Sequence, residues 1–421
     1  MLARARLITA ASFTGSLGWG LILPFQYAYT VNTRSWGASI GVLTGTVFCV
    51  GAVVAAPLAG RMADRYVAGH VAVGFHLLAA AASLGMAAAP NAALFLTSIA
   101  VFGAAITAAS PAAQVLVLEC VSSDQRRAVF AYQFTSLALG MAVGAFAGGQ
   151  LIDLRSPTGM WPAFIGSFLG FTAAAGLLYL AAGNPTHSKA SVSMSDPSAR
   201  PLKSMAAYRH LARHRNVRLL ALVSMALAAG FYAQFETGLP AFALESLDVA
   251  ASTVGTAAAV NCLVIVGVQW LVVRVTGRSS GASLLAVVGT VWVLSWLMLE
   301  AALFFSPDQA SVLFVAAFAV FALGETMYAP ILGPLAAAVA PPGMVGTTLG
   351  ALAALRTGIS AAGPLIAGLL LAFDLPHVFV LVHVVINGVA VAVALRLHRA
   401  VKVSPLGVDT GLVDPQRSSR V

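Results

Sequence analysis

Charge is scarce in this chain. Only 9% of its 421 residues are Asp, Glu, Lys or Arg, while 59% are hydrophobic. A soluble domain carries about 25% charged residues, so a fold solvated by water on all sides is excluded. Cysteine is scarcer still. Cys49, Cys120 and Cys262 are scattered without ligand spacing, which excludes a disulfide framework or a Cys-built metal centre and leaves small apolar side chains. No glycine-rich loop is followed by Lys and Ser or Thr, so ATP-driven work by this chain is not expected. No nucleophile–base constellation is visible, which argues against an enzyme, and no cofactor or metal is implied. The net charge of +9 would suit nucleic acid only as a basic face on a soluble domain, and there is no such domain.

Long apolar runs are abundant. About 20 apolar residues span a bilayer core, and backbone groups in lipid must pair within their own segment. The runs at 7–30, 37–60, 68–89, 92–118, 127–152, 160–182, 217–244, 250–274, 281–304, 309–339, 345–373 and 376–398 therefore predict an all-α membrane protein of twelve transmembrane helices. Arg4 and Arg6 precede an apolar stretch too long for a signal peptide, so it is expected to stay as the first helix.

All but three of the 23 Lys and Arg fall on one set of connections or at the termini. Arg34 and Arg155 lie on the other set and Arg356 lies inside a span. The positive-inside rule then places both termini in the cytoplasm. A bacterial inner (plasma) membrane is the expected location, with the chain working as a monomer.

The longest polar stretch, 183–216, separates the N-terminal bundle, 1–182, from the C-terminal bundle, 217–402. Its Asn184-Pro185, serines and Pro201 suit a solvated connector. Residues 403–421 read as a disordered tail. The halves echo one another: Pro111 with Pro330, Gly144 with Gly363, Gly149 with Gly368, and Leu23-Pro24 with Leu239-Pro240. These matches fall at equivalent places in a six-plus-six layout, and paired repeats around a central pathway are a transporter architecture.

The loop after the second run reads Gly60-Arg61-Met62-Ala63-Asp64-Arg65-Tyr66. Gly60 lets a helix end approach a neighbour, and Asp64 can satisfy a helix N-terminus. This segment resembles the loop signature of the major facilitator superfamily, a glycine followed by an Asp-Arg pair. The resemblance implies two six-helix bundles that rock around a central site, with this loop latching them on the cytoplasmic side. Glu119, Arg126 and Arg127 after the fourth run are similar to the acid and base pair of that family, and Glu119 is a partner for Arg65. Gly140, Gly144, Gly148 and Gly149 resemble the glycine-rich fifth helix of drug/proton antiporters, with Ala145 where that pattern has proline. Gly363-Pro364 carries the proline in the repeat copy. Spacing of four also serves plain close packing in lipid.

Three charges lie inside runs of the second half: Glu236, Glu325 and Arg356. Each must face a wet cavity or a partner, because a charge at the bilayer centre costs at least about 2.5–3.5 kcal/mol. Glu325 and Arg356 lie at similar depth, so they form either a permanent ion pair or one that separates as Glu325 takes a proton. Glu236 is a second acid or an outer-mouth cation contact. The segments around Glu236 and Glu325 resemble the seventh and tenth helices of multidrug exporters. Gln26, Tyr27, Gln133, Tyr232, Gln234, Asn261 and Tyr328 line the pathway by this resemblance, and each is otherwise an interhelical hydrogen bond. The expected activity is proton-driven export of a hydrophobic or amphiphilic molecule, and the charges suit an amphiphilic or cationic substrate better than a polyanion. Uptake of a sugar or metabolite, or a non-transporting receptor or scaffold, is the alternative.

Overall fold

The computed structural model describes residues 2–26, 29–183, 204–235, 238–277 and 279–403. Tyr27 and Glu236, most of the 183–216 connector and nearly all of the 403–421 tail lie outside the described residues. Among the described residues every regular element is a helix. In chain order these are α1 (Leu2–Ile22), α2 (Ala38–Arg65), α3 (Ala68–Ala88), α4 (Ala92–Cys120), α5 (Arg126–Leu151), α6 (Trp161–Ala182), α7 (Ser204–Arg213), α8 (Arg215–Leu227), α9 (Gly238–Glu245), α10 (Ala251–Thr276), α11 (Gly281–Ala302), α12 (Pro307–Val339), α13 (Val345–Ala372) and α14 (Pro376–Val403). Eleven helices among the described residues are long and apolar enough to cross a membrane, and α1 is not one of those eleven.

Two spans differ from their expected form. The first helix stops at Ile22, well short of position 30, and a π-helical turn follows at Tyr29–Thr33. The run expected at 217–244 is interrupted. After α8 the backbone widens into a π-helical turn at Ala228–Tyr232, then a short helical piece, Ala233–Phe235, precedes α9. Such turns are often found at functional sites. Two donors reach into this one: Trp296 Nε1 at 2.6 Å and Asn387 Nδ2 at 3.1 Å both bond the Gly230 carbonyl. The connector also holds structure, because α7 is amphipathic. Ala207 and Leu211 are buried, one helical turn apart, while Arg209, His210 and Arg213 are exposed.

The helices pack in matching pairs. α1 lies against α5 and α6, α2 against α4, and α3 against α4 and α6. In the second half α8 lies against α14, α9 against α13, α10 against α12, and α11 against α12 and α14. Small residues allow the closest approaches. A Cβ on Gly140 or Gly144 would strike the α1 backbone at Phe13 or Leu17, and one on Gly363 would strike Ala233. The second half is dense with buried rings, among them Phe231, Trp292, Trp296, Phe314, Phe318, Phe321, Tyr328 and Phe379.

Candidate functional site

Two groups of residues stand out: the expected latch, where helix ends of the two halves meet, and a polar cluster between helices of the second half.

The latch is built from helix ends. α2 ends at Arg65 and α13 begins at Val345. Where they cross, Gly60 meets Gly346 and Gly350 meets Ala56 through bare backbone, and a Cβ on either glycine would overlap a carbonyl oxygen. This approach brings Asp64 onto the open end of α13. Its carboxylate accepts from Gly346 N at 2.6 Å, Thr347 N at 2.7 Å and Thr347 Oγ1 at 2.5 Å. An anion thereby satisfies N–H groups that have no partner inside their own helix.

The second crossing, α5 with α10, reverses the sign. Arg127, in the first turn of α5, donates to the carbonyls of Thr276 and Ser279 at the far end of α10. A cation thus meets carbonyls at a helix C-terminus. Between the two, Gly333 of α12 packs on the Phe130 ring and near Gln114. Tyr208 of α7 donates to the Pro57 carbonyl at 2.7 Å. Burial pushes its phenol above the ordinary value, with Arg61 opposing and Asp64 adding, so the hydroxyl keeps its proton. These bonds between the halves all lie on the side bearing the Arg-rich connections.

Other expected latch residues act locally. Arg126 closes the end of its own neighbour, donating to Leu118 O at 2.8 Å and Val121 O at 3.2 Å. Glu119 is half-buried in the last turn of α4, and Arg65 is exposed. Gly140, Gly144 and Gly148 face α1, whereas Gly149 and Pro364 are exposed.

The polar cluster surrounds Glu325, which is 6% exposed. Asn261 of α10 donates to its carboxyl at 2.9 Å, and the Tyr232 hydroxyl is directed to the same group. Arg356 does not pair with it. Among the described residues the one ion pair joins His377 to Glu300, at the other end of the helices. The Arg356 guanidinium lies 5.7 Å from the centre of the Tyr232 ring and 5.3 Å from that of Tyr328. Two tyrosine faces therefore hold the cation where a carboxylate was one of the expected options. Gln234 is fully buried. It donates to Gly363 O at 3.3 Å, and its Oε1 has no partner.

The remaining expected lining residues are scattered. Gln133 donates to Ser12 Oγ at 3.4 Å inside the first half, and Gln26 is half-buried beyond α1. Residues that the sequence reading passed over include Gln269, which donates to Thr326 O at 3.0 Å, and Asn387 with Trp296 on the π turn. Buried amides in an apolar run were their signal. Depth follows from helix rise. Glu325 lies about 12 Å along α12 from the Gly333 contact, and Arg356 about 15 Å along α13 from Gly346. Both sit well above the latch.

Among the described residues no three His, Cys, Asp or Glu side chains form a group that could hold a metal. The profile of the Major Facilitator Superfamily matches residues 8–304. The chain belongs to this superfamily. Two solved structures share the fold. The human organic anion transporter MFSD10 (TETRAN) superposes with a TM-score of 0.72 at 15% identity, covering 93% of this chain and 99% of its own. A bacterial homologue of the iron transporter ferroportin, in an outward-facing state, gives 0.73 at 12% identity, covering 94% and 99%. A search of curated protein sequences finds no match. Family and fold point to a multi-pass membrane transporter of small molecules rather than to an enzyme.

Proposed function

We propose that this superfamily member is a proton-coupled secondary transporter that exports a hydrophobic or amphiphilic small molecule by alternating access. Glu325 carries the coupling proton. The observation that carries this reading is a carboxyl sunk between membrane helices, held by Asn261 at 2.9 Å and free of any salt bridge to Arg356. A carboxyl in that setting can be neutral in one conformation and ionised in another, which is what coupling needs. The half-buried Tyr232, backed by the buried rings of Phe231, Trp292 and Tyr328 at 4.9–5.9 Å from centre to centre, gives this region an apolar character that suits an organic substrate.

The proposal takes 1–182 and 217–402 as the two moving units. Leu2–Ile22 is the twelfth span, and both termini lie in the cytoplasm of a bacterial cell. Glu236 is a second acid or a cation contact, and Gln26 and Tyr27 are candidate pathway residues of the first half. Closure at Asp64 and Arg127 makes the described conformation outward-facing, with the latch as its cytoplasmic gate. The packing pairs shared by the two halves support rocking about a repeat interface.

The test is reconstitution in liposomes with an imposed pH gradient and labelled cations, anions, neutral amphiphiles and sugars. Gradient-dependent flux of an amphiphile supports the proposal. Flux of sugars alone, or none that follows the gradient, overturns it and favours metabolite uptake or a receptor or scaffold.

A further inference from the structure

We propose that the substrate is an organic monoanion and that Arg356 binds its acidic group. This rests on the reading of the second-half cluster as the substrate site.

An aromatic cage in a transporter interior would ordinarily suit a substrate cation. Here that place is taken. The guanidinium of Arg356 lies 5.7 Å from the Tyr232 centroid and 5.3 Å from that of Tyr328. The cage holds a cation that belongs to the protein.

Among the described residues that cation has no acidic partner. Its Nε is buried without a hydrogen-bond partner. The nearby acid, Glu325, already accepts from Asn261 at 2.9 Å and is 6% exposed, so little of its carboxyl is open to a cationic ligand. A cation inside a membrane protein without a counter-charge is an incomplete site. The guanidinium fork matches a carboxylate or sulfonate and donates two parallel bonds to it, where an ammonium would donate one. The two tyrosine rings hold the guanidinium in place before the ligand arrives.

Trp292 lies 5.7 Å from Tyr232 and 5.9 Å from Tyr328, with Phe231 packed 4.9 Å from Trp292. Phe231, Trp292 and Tyr328 are fully buried and back Tyr232, the half-buried ring that offers apolar surface beside the charge. A single anionic head on an aromatic or aliphatic body fits both features. A polyanion does not, since one Arg faces the site. The cation expected from the sequence is disfavoured because the protein has filled the cage itself.

The test uses the full-length protein, purified in detergent, and three probes of one shape: 4-phenylbutyrate, 4-phenylbutyramide and 4-phenylbutylammonium. Binding is measured by isothermal titration calorimetry against empty micelles. The carboxylate should bind at least about tenfold more tightly than the amide, with the ammonium weakest. Arg356→Gln should bring the acid and the amide to equal affinity. If that variant is not monodisperse, Arg356→Lys decides. It keeps the charge and loses the fork, so the acid should still lead the amide by a reduced margin. A wild type that does not distinguish the probes, a preference for the ammonium, or a carboxylate preference that survives Arg356→Gln would each overturn the proposal. No gradient is present in this assay, so its failure leaves proton coupling at Glu325 standing. Loss of gradient-driven flux would in turn leave the binding result standing.

Discussion

Replacing Asp64 by Asn should loosen the gate by an amount that follows from its bonds. The carboxylate accepts from Gly346 N, Thr347 N and Thr347 Oγ1 at 2.6, 2.7 and 2.5 Å. Hydrogen bonds to a charged group contribute about 1.5–3 kcal/mol each, and an anion at a helix N-terminus adds about 0.3–2 kcal/mol. Asn keeps one acceptor oxygen but turns its NH2 toward a backbone N–H. That oxygen can keep both Thr347 bonds, while the charge and the Gly346 bond are lost and a donor faces the Gly346 donor. The net loss is about 2–4 kcal/mol, since the partly wet surroundings offset some of it. At about 1.4 kcal/mol per factor of ten, the closed form falls by roughly 30- to 1000-fold relative to the open one. Backbone packing at Gly60 and Gly350 and the Arg127 bonds remain, so closure is weakened rather than abolished. Double electron–electron resonance between labels at Tyr66→Cys and Pro342→Cys reads the gate directly. Both positions are exposed, and Cys49, Cys120 and Cys262 would be replaced first. Asp64→Asn should convert a short distance peak into a longer one. An unchanged distribution would show that the Asp64 bonds do not hold the gate.

Other outcomes follow from packing and topology. Gly144→Leu would drive a side chain into the α1 backbone at Leu17, whereas the nearest atom to a Cβ on Gly149 is the Phe25 Cζ, 3.9 Å away. The first should abolish monodisperse elution and Gly149→Ala should leave it intact, as size-exclusion chromatography would show. Asn387→Ala removes bonds to Gly230 O and His383 O at 3.1 and 2.9 Å. It should cost about 2 kcal/mol, measured by thermal unfolding, while Trp296 still holds the same Gly230 carbonyl. Single cysteines added at each terminus should both react with a membrane-impermeant maleimide only in inside-out vesicles. Reaction of either in right-side-out vesicles would contradict the topology.

Most helix limits were legible because apolar runs ending in Gly, Pro or charge leave little choice. The expected 68–89 and 345–373 became Ala68–Ala88 and Val345–Ala372. The π turn at Ala228–Tyr232 was not legible. A π turn keeps the apolar composition and changes only which carbonyls are free, and its stabilising donors, Trp296 and Asn387, come from two other helices. The connector helix was hidden by reading polarity where Ala207 and Leu211 carried a period. Within the site, Asp64 as a helix-terminus anion was readable, since loop position and charge sign suffice. Its partner helix was not, because Gly346 and Thr347 lie 282 and 283 residues away. Depth placed Glu325 and Arg356 together but could not say that two tyrosine rings, Tyr232 from the π turn and Tyr328 from the helix of Glu325 itself, would take the cation.

Proton exchange at Glu325 is the centre of this account, and Glu325→Gln in proteoliposomes tests it most directly. The variant should lose uphill transport driven by a pH gradient and retain substrate exchange at equilibrium, because a neutral amide mimics the protonated acid. Wild-type gradient-driven accumulation by the variant would contradict the assignment.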